Sequence, residues 1–236
     1  MAQLIVIEGT DGSGKTTQAR LAVDALTRAG QPVRELSFPR YGTVGSTFVD
    51  LYLGGGLGGK PEDTGSYAAS TFFACDRYVS YRTEWSADYK NPGGVILACR
   101  YTSANAVHQL SKLPREEWDN FLDWLWDYEY VKLGIPKPDK VLYLDMPPEL
   151  SAALIVRRSE QTGQKRDIHE LDFEYLKSCR TAALYAAKRH GWTVIPAFER
   201  AVSSGSTHFE PRSREAVHND IMREIGYANL THMEDK

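Results

Sequence analysis

The chain has 236 residues, 42% of them hydrophobic and 25% charged, the balance of an ordinary globular protein and not of a disordered or membrane-embedded one. A net charge of −3 provides no basic surface for nucleic acid or anionic lipid, so any anion has to be held by a local cluster of cations. No apolar run approaches the roughly 20 residues that cross a bilayer, the first residues lead directly into a strand pattern, and Cys75, Cys99 and Cys179 lie far apart. The expectation is a cytoplasmic protein with reduced thiols, built as one α/β domain over 1–236, with neither a membrane nor a nucleic-acid partner.

Residues 4–7, Leu-Ile-Val-Ile, suit a short buried strand. The run Gly9-Thr10-Asp11-Gly12-Ser13-Gly14-Lys15-Thr16 that follows fits G-x-x-x-x-G-K-[ST], a phosphate-binding loop. Over 16–29, Leu21, Ala22, Ala25, Leu26 and Ala29 fall on one helical face. A strand, a glycine-rich turn and a helix N-terminus point several backbone N–H groups into one small space, and the helix dipole adds positive potential there. The residues from Gly9 to Thr16, with Thr17 next in the helix, are therefore expected to hold a nucleoside triphosphate. Lys15 is expected on the outer phosphates and the Thr16 hydroxyl on Mg²⁺.

Apolar runs at 32–38, 94–99, Lys140–Asp145 and 192–197 alternate with helical stretches. That order predicts a five-stranded parallel sheet flanked by helices, a three-layer phosphate-loop fold. Residues 54–59 (Gly-Gly-Gly-Leu-Gly-Gly) break the chain as a loop between helices. The segment 116–133 reads as a helix that is apolar over more than one face, with Trp118, Phe121, Leu122, Trp124, Leu125 and Trp126, which suits either core packing or a homodimer interface. Residues 157–167 are polar and contain a glycine, the pattern of an exposed excursion, and the stretch 228–236 is a polar tail.

Ligands of parallel sheets sit beyond the carboxyl ends of the strands. Arg40 follows the second predicted strand, Arg100 follows the third, and Arg77 lies on the helix after the glycine-rich loop. Guanidinium groups there could hold a second phosphate through bidentate hydrogen bonds, opposite the triphosphate. Two phosphorylated ligands facing one another is the arrangement of phosphoryl transfer between nucleotides.

Several segments in the same order make the resemblance specific. They are Ile7-Glu8-Gly9-Thr10-Asp11-Gly12-Ser13-Gly14-Lys15, Phe38-Pro39-Arg40-Tyr41-Gly42, Phe73-Ala74-Cys75-Asp76-Arg77, Arg100-Tyr101-Thr102-Ser103-Ala104-Asn105-Ala106 and Leu133-Gly134-Ile135-Pro136-Lys137-Pro138-Asp139. Over nearly its whole length the chain resembles the thymidylate kinases, a branch of the nucleoside monophosphate kinases. The resemblance implies ATP-dependent phosphorylation of dTMP to dTDP by a homodimer. It implies that Phe73 stacks on thymine, that Arg77 and Asn105 meet the base edge, and that Arg40 and Arg100 grip the monophosphate, with Phe38 lining the pocket. Asp11 would sit between the sugar and the metal region, and Glu170 would join Asp11 and Thr16 in holding Mg²⁺. Residues 157–167 match a small mobile lid whose Arg157, Arg158, Lys165 and Arg166 close over ATP and stabilise the transferring phosphoryl group.

Three positions depart from the family pattern. Cys99 stands where an aspartate is usual, and a thiol is a poor Mg²⁺ ligand. His108 stands where an aromatic ring usually lies against the deoxyribose, and His169 replaces another aromatic. A kinase for a different pyrimidine nucleotide, such as dUMP, is the nearest alternative. A signalling GTPase fits less well, because the chain has no Asn-Lys-x-Asp element to select guanine.

Overall fold

The computed structural model describes residues 1–58, 61–162, 173–203 and 206–227. Five strands, β1 (Gln3–Gly9), β2 (Val33–Ser37), β3 (Val95–Cys99), β4 (Lys140–Asp145) and β5 (Thr193–Pro196), form a parallel sheet in the order β2-β3-β1-β4-β5. The chain leaves the central strand β1 with β3 on one side and β4 on the other, so the crevice at the end of β1 is the natural ligand position.

The helices are α1 (Lys15–Arg28), α2 (Thr47–Leu53), α3 (Pro61–Thr64), α4 (Ser66–Ser80), α5 (Ser86–Tyr89), α6 (Thr102–His108), α7 (Trp118–Trp126), α8 (Pro148–Thr162), α9 (Phe173–His190) and α10 (Arg214–Glu224). Two π-helical segments, Tyr81–Trp85 and Asp127–Lys132, extend α4 and α7. Alternate residues of β1 serve opposite faces. Ile5 and Ile7 pack with Ala22 and Leu26 of α1 and Ile221 and Met222 of α10, while Leu4 and Val6 pack with Phe38, Trp85 and Tyr101. Each such fully buried aliphatic side chain contributes about 2 kcal/mol. An interior strand of a sheet covered on both faces needs apolar residues along its length, and so β3 is buried throughout, whereas the edge strand β2 leaves Arg34 and Glu35 exposed.

Two expectations change, and one open alternative is decided. The aromatic segment takes the core alternative: Trp118, Phe121, Leu122 and Leu125 are buried against Val107, Ala183 and Tyr143, leaving Val131 as an exposed apolar residue. Residues 157–162, expected to begin an exposed excursion, instead continue α8, because Arg157-Arg158-Ser159-Glu160-Gln161-Thr162 has no breaker until Gly163. An antiparallel hairpin, β6 (Phe198–Ser203) with β7 (Ser206–Pro211), follows β5, and the five-strand reading does not contain it. Lys165, Arg166, His169 and Glu170, the side chain of Arg158 and the tail 228–236 lie outside the described residues. Among the described residues, no helix is long and apolar enough to cross a membrane.

Candidate active site

Two cavities flank the loop between β1 and α1. The first, of about 610 Å³, runs along the N-terminus of α1, where Ser13, Lys15, Thr16 and Thr17 line it together with Arg157, Arg212 and Arg214. The loop has its shape because two glycines adopt left-handed conformations that residues with a Cβ rarely take. Gly14 caps α1 at φ 86°, and Gly12 at φ 80° lies so close to α8 that a Cβ would fall 2.5 Å from the Ser151 carbonyl oxygen. The buried Ser13 Oγ has no hydrogen-bond partner among the described residues. Lys15 Nζ donates to the Thr10 carbonyl at 3.2 Å and to Asp11 Oδ1 at 3.0 Å. Gly9 and Thr10 lie buried beneath the loop, and the wholly buried Glu8 carboxylate accepts from the Gly9 N–H and from Ser103 Oγ. Burial pushes the Glu8 carboxyl above the usual range, although Arg100 and Lys15 act against this.

The second cavity, of about 340 Å³, opens on the opposite side of the loop. It brings together Asp11, Phe38, Phe73, Arg77, Arg100, Asn105 and His108, which lie up to 97 positions apart in the chain. Arg40 behaves differently from the expectation. Its guanidinium pairs with Glu84 and reaches Ser80 Oγ at 3.1 Å, and it is not among the residues lining the cavity. The carboxylate on the π-helical extension of α4 draws it there, and Asp76 holds the Arg40 backbone N–H at 2.8 Å.

Arg100 is the focus of the second cavity. It is the only non-glycine residue with positive φ (66°) among the described residues, and its backbone N–H donates to the Ile7 carbonyl at 3.1 Å. A strained conformation held by a hydrogen bond to the central strand fixes where the side chain begins. The guanidinium then pairs with Asp11 and donates from Nη1 to His108 Nε2 at 2.9 Å. Because a guanidinium only donates, His108 Nε2 is the acceptor and Nδ1 carries the proton, which it donates to the Tyr175 hydroxyl at 3.1 Å. Burial and the Arg100 charge push His108 down to about 3, so the ring is neutral. Burial alone would raise the Asp11 carboxyl, but Arg100 and Lys15 beside it hold it well below the usual carboxylate range. Asp11 thus links the cation of one cavity to the cation of the other.

At the far end of the second cavity, Arg77 is buried against Glu129, and Phe73 meets Tyr52 edge-on at 6.2 Å between ring centroids. Tyr175 and Lys112 line the second cavity, Arg212 and Arg214 line the first, and Glu129 holds Arg77 from behind the second; the sequence reading missed all of these. Glu129 and Tyr175 sit inside helical segments with no motif around them, and Arg212 and Arg214 follow the unexpected hairpin. The one available signal was the turn-forming Ser204-Gly205 pair between residues of mixed polarity.

The comparison with known families agrees with this geometry. A family model described as thymidylate kinase matches residues 7–203. The chain belongs to the thymidylate kinase family. It is 34% identical over 193 residues to thymidylate kinase of Mycobacterium tuberculosis strain H37Rv, covering 80% of this chain and 87% of that one. It is 28% identical over 196 residues to a probable thymidylate kinase of Pyrobaculum aerophilum, covering 83% and 88%. Thymidylate kinase from Candida albicans shares the fold with a TM-score of 0.66 at 21% identity, over 98% of this chain and 93% of that one. As a member of the family, the protein is a phosphotransferase that uses ATP and converts dTMP to dTDP.

A phosphate-bound Mg²⁺ takes one or two oxygen ligands from protein and the rest from phosphate and water. The Thr16 hydroxyl, on the wall of the first cavity, meets that need. Cys99 does not: its Sγ lies 3.8 Å from Thr16 Oγ1, and burial pushes the thiol up, so it stays protonated. Among the described residues, no group of three or more His, Cys, Asp and Glu side chains could hold a metal by itself.

Proposed function

We propose that the first cavity takes ATP, that the second takes dTMP, and that the phosphoryl group passes between them over the Asp11–Lys15–Arg100 bridge. The observation that carries this reading is the placement of two cavities back to back on one loop, each with its own cation and with a shared carboxylate between them. The backbone N–H groups from Gly12 to Thr16 and the Lys15 ammonium would hold the β- and γ-phosphates of ATP, and Thr16 would hold Mg²⁺ together with Asp11 and Glu170. Magnesium, when bound, neutralises charge on the donor phosphates.

Arg100 would grip the dTMP phosphate and aim one of its oxygens at the γ-phosphorus in line. That oxygen is ionised at neutral pH, so no general base is required. Lys15 leaves its bond to Asp11 for the transferring group, and Arg157 with Arg158, Lys165 and Arg166 closes from the donor side to complete the positive surround. Phe73 stacks on the base while Phe38 packs beside it, and neutral His108 fixes the Arg100 fork and faces the sugar. Arg40 joins the phosphate grip by exchanging Glu84 for the incoming anion.

We also infer a cytoplasmic homodimer. Val44, Phe48 and Leu51 are exposed at helical spacing along and just before α2, which suits a second copy of the same face. ADP release, coupled to NADH oxidation, tests the acceptor assignment with dTMP, dUMP, dCMP, UMP and dGMP. The expected result is fastest turnover on dTMP. No release above ATP hydrolysis with any of them would overturn it.

A further inference from the structure

Accepting the second cavity as the nucleotide acceptor site, we propose that Glu129 sets the hydrogen-bonding polarity of the base-facing wall and makes that wall select a thymine or uracil edge over cytosine. Glu129 lies on the π-helical segment Asp127–Lys132 and is fully buried. It does not line the cavity. Its Oε1 accepts from Arg77 Nη2 at 2.6 Å and Asn105 Nδ2 at 3.4 Å, and its Oε2 accepts from Arg77 Nε at 2.7 Å and Thr102 Oγ1 at 2.8 Å. One carboxylate therefore holds both residues expected to meet the base.

The two residues end with opposite polarity. Arg77 uses Nε and part of Nη2 on Glu129 and part of Nη1 on the Tyr101 carbonyl at 3.3 Å, which leaves N–H groups on Nη1 and Nη2. Arg77 can offer a ligand only a donor. Asn105 Nδ2 faces two groups that can only accept, the Glu129 carboxylate and the Ser70 carbonyl at 3.3 Å. The amide cannot turn over without setting its oxygen against both. The atom left for a ligand is Oδ1, which has no bond to a described residue, so Asn105 offers an acceptor.

A wall that shows a donor beside an acceptor matches a base with a carbonyl at position 4 and an N–H at position 3. Cytosine carries an amino group and a bare ring nitrogen at those positions and meets both in reverse. A buried hydrogen-bonding site rejects such a mismatch strongly, because groups on both sides are left unpaired. The 5-methyl group plays no part, so this wall does not separate dTMP from dUMP.

The test is Glu129→Gln. Glutamine keeps one acceptor and turns an amino group toward an Arg77 N–H on either side, so the wall loses its fixed polarity. The ratio of kcat/KM for dTMP over dCMP is expected to fall about tenfold or more, through the dTMP KM, with the ATP KM within about twofold of wild type. Glu129→Asp retains the charge but is too short to serve Arg77 and Asn105 together; it should show the same fall and covers the case in which Glu129→Gln fails to fold. A ratio that stays at the wild-type value while turnover on every nucleotide declines together would reduce Glu129 to a structural counter-ion and overturn the proposal. Wild-type turnover on dTMP, measured in the same panel, reports separately on the acceptor assignment.

Discussion

Replacing Arg100 with alanine should uncouple the two cavities. Of the two cavities, the guanidinium lines only the second, proposed to take dTMP; it pairs with Asp11 and is braced by His108 at 2.9 Å. A charge-assisted hydrogen bond contributes about 1.5–3 kcal/mol, so a two-pronged grip on the dTMP phosphate is worth roughly 3–5 kcal/mol. At about 1.4 kcal/mol per tenfold, kcat/KM for dTMP should fall by roughly 10³. The change should appear mainly in the dTMP KM, with the ATP KM within about threefold of wild type. The Arg100–Asp11 pair is partly solvent-screened, so the fold should lose only about 1 kcal/mol. Arg100→Lys keeps the charge and loses the fork, and should recover about tenfold of the deficit. Steady-state ADP-release kinetics with each nucleotide varied in turn, alongside thermal unfolding, measures all of this. Equal increases in both KM values, or a loss in kcat/KM below about tenfold, would refute the reasoning.

Lys15→Ala should reduce kcat by more than about 10³ while thermal unfolding changes little, since Asp11 retains Arg100; single-turnover activity near wild type would remove Lys15 from the mechanism. Cys99→Asp should lower the Mg²⁺ concentration at half-maximal rate, because an oxygen ligand would then stand beside Thr16; an unchanged titration would make the departure inconsequential. The unfolded chain protonates His108 near pH 6.5, whereas the folded chain resists this until about 3, so stability is lost as pH falls through that window. Between pH 7.5 and 5 the loss is about 2 kcal/mol, and urea titrations of His108→Phe should show a flatter pH profile over that range. The lowered Asp11 carboxyl acts in the same direction at more acidic pH. Phe48→Asp should convert a homodimer to monomers by sedimentation velocity; an unchanged sedimentation coefficient would place the interface elsewhere.

The loop between β1 and α1 was legible in the sequence because its information is local. A strand, two glycines with positive φ and a lysine at a helix start lie within a dozen residues, and short-range sterics force them into one shape. The alternation of five apolar runs with helical stretches likewise determined the parallel sheet, most clearly at the interior strand β3, which is buried on both faces and apolar throughout. The resemblance named several residues that line the second cavity, but not what holds them. Only the tertiary structure decided that Arg40 turns to Glu84, that Arg77 and Asn105 share the Glu129 carboxylate, and that neutral His108 braces Arg100 against Tyr175. It also decided that the tryptophan-rich helix serves the core and that a hairpin follows β5. Those outcomes depend on which donors and acceptors from distant segments are left facing one another once water is excluded, and no spacing along the chain records that.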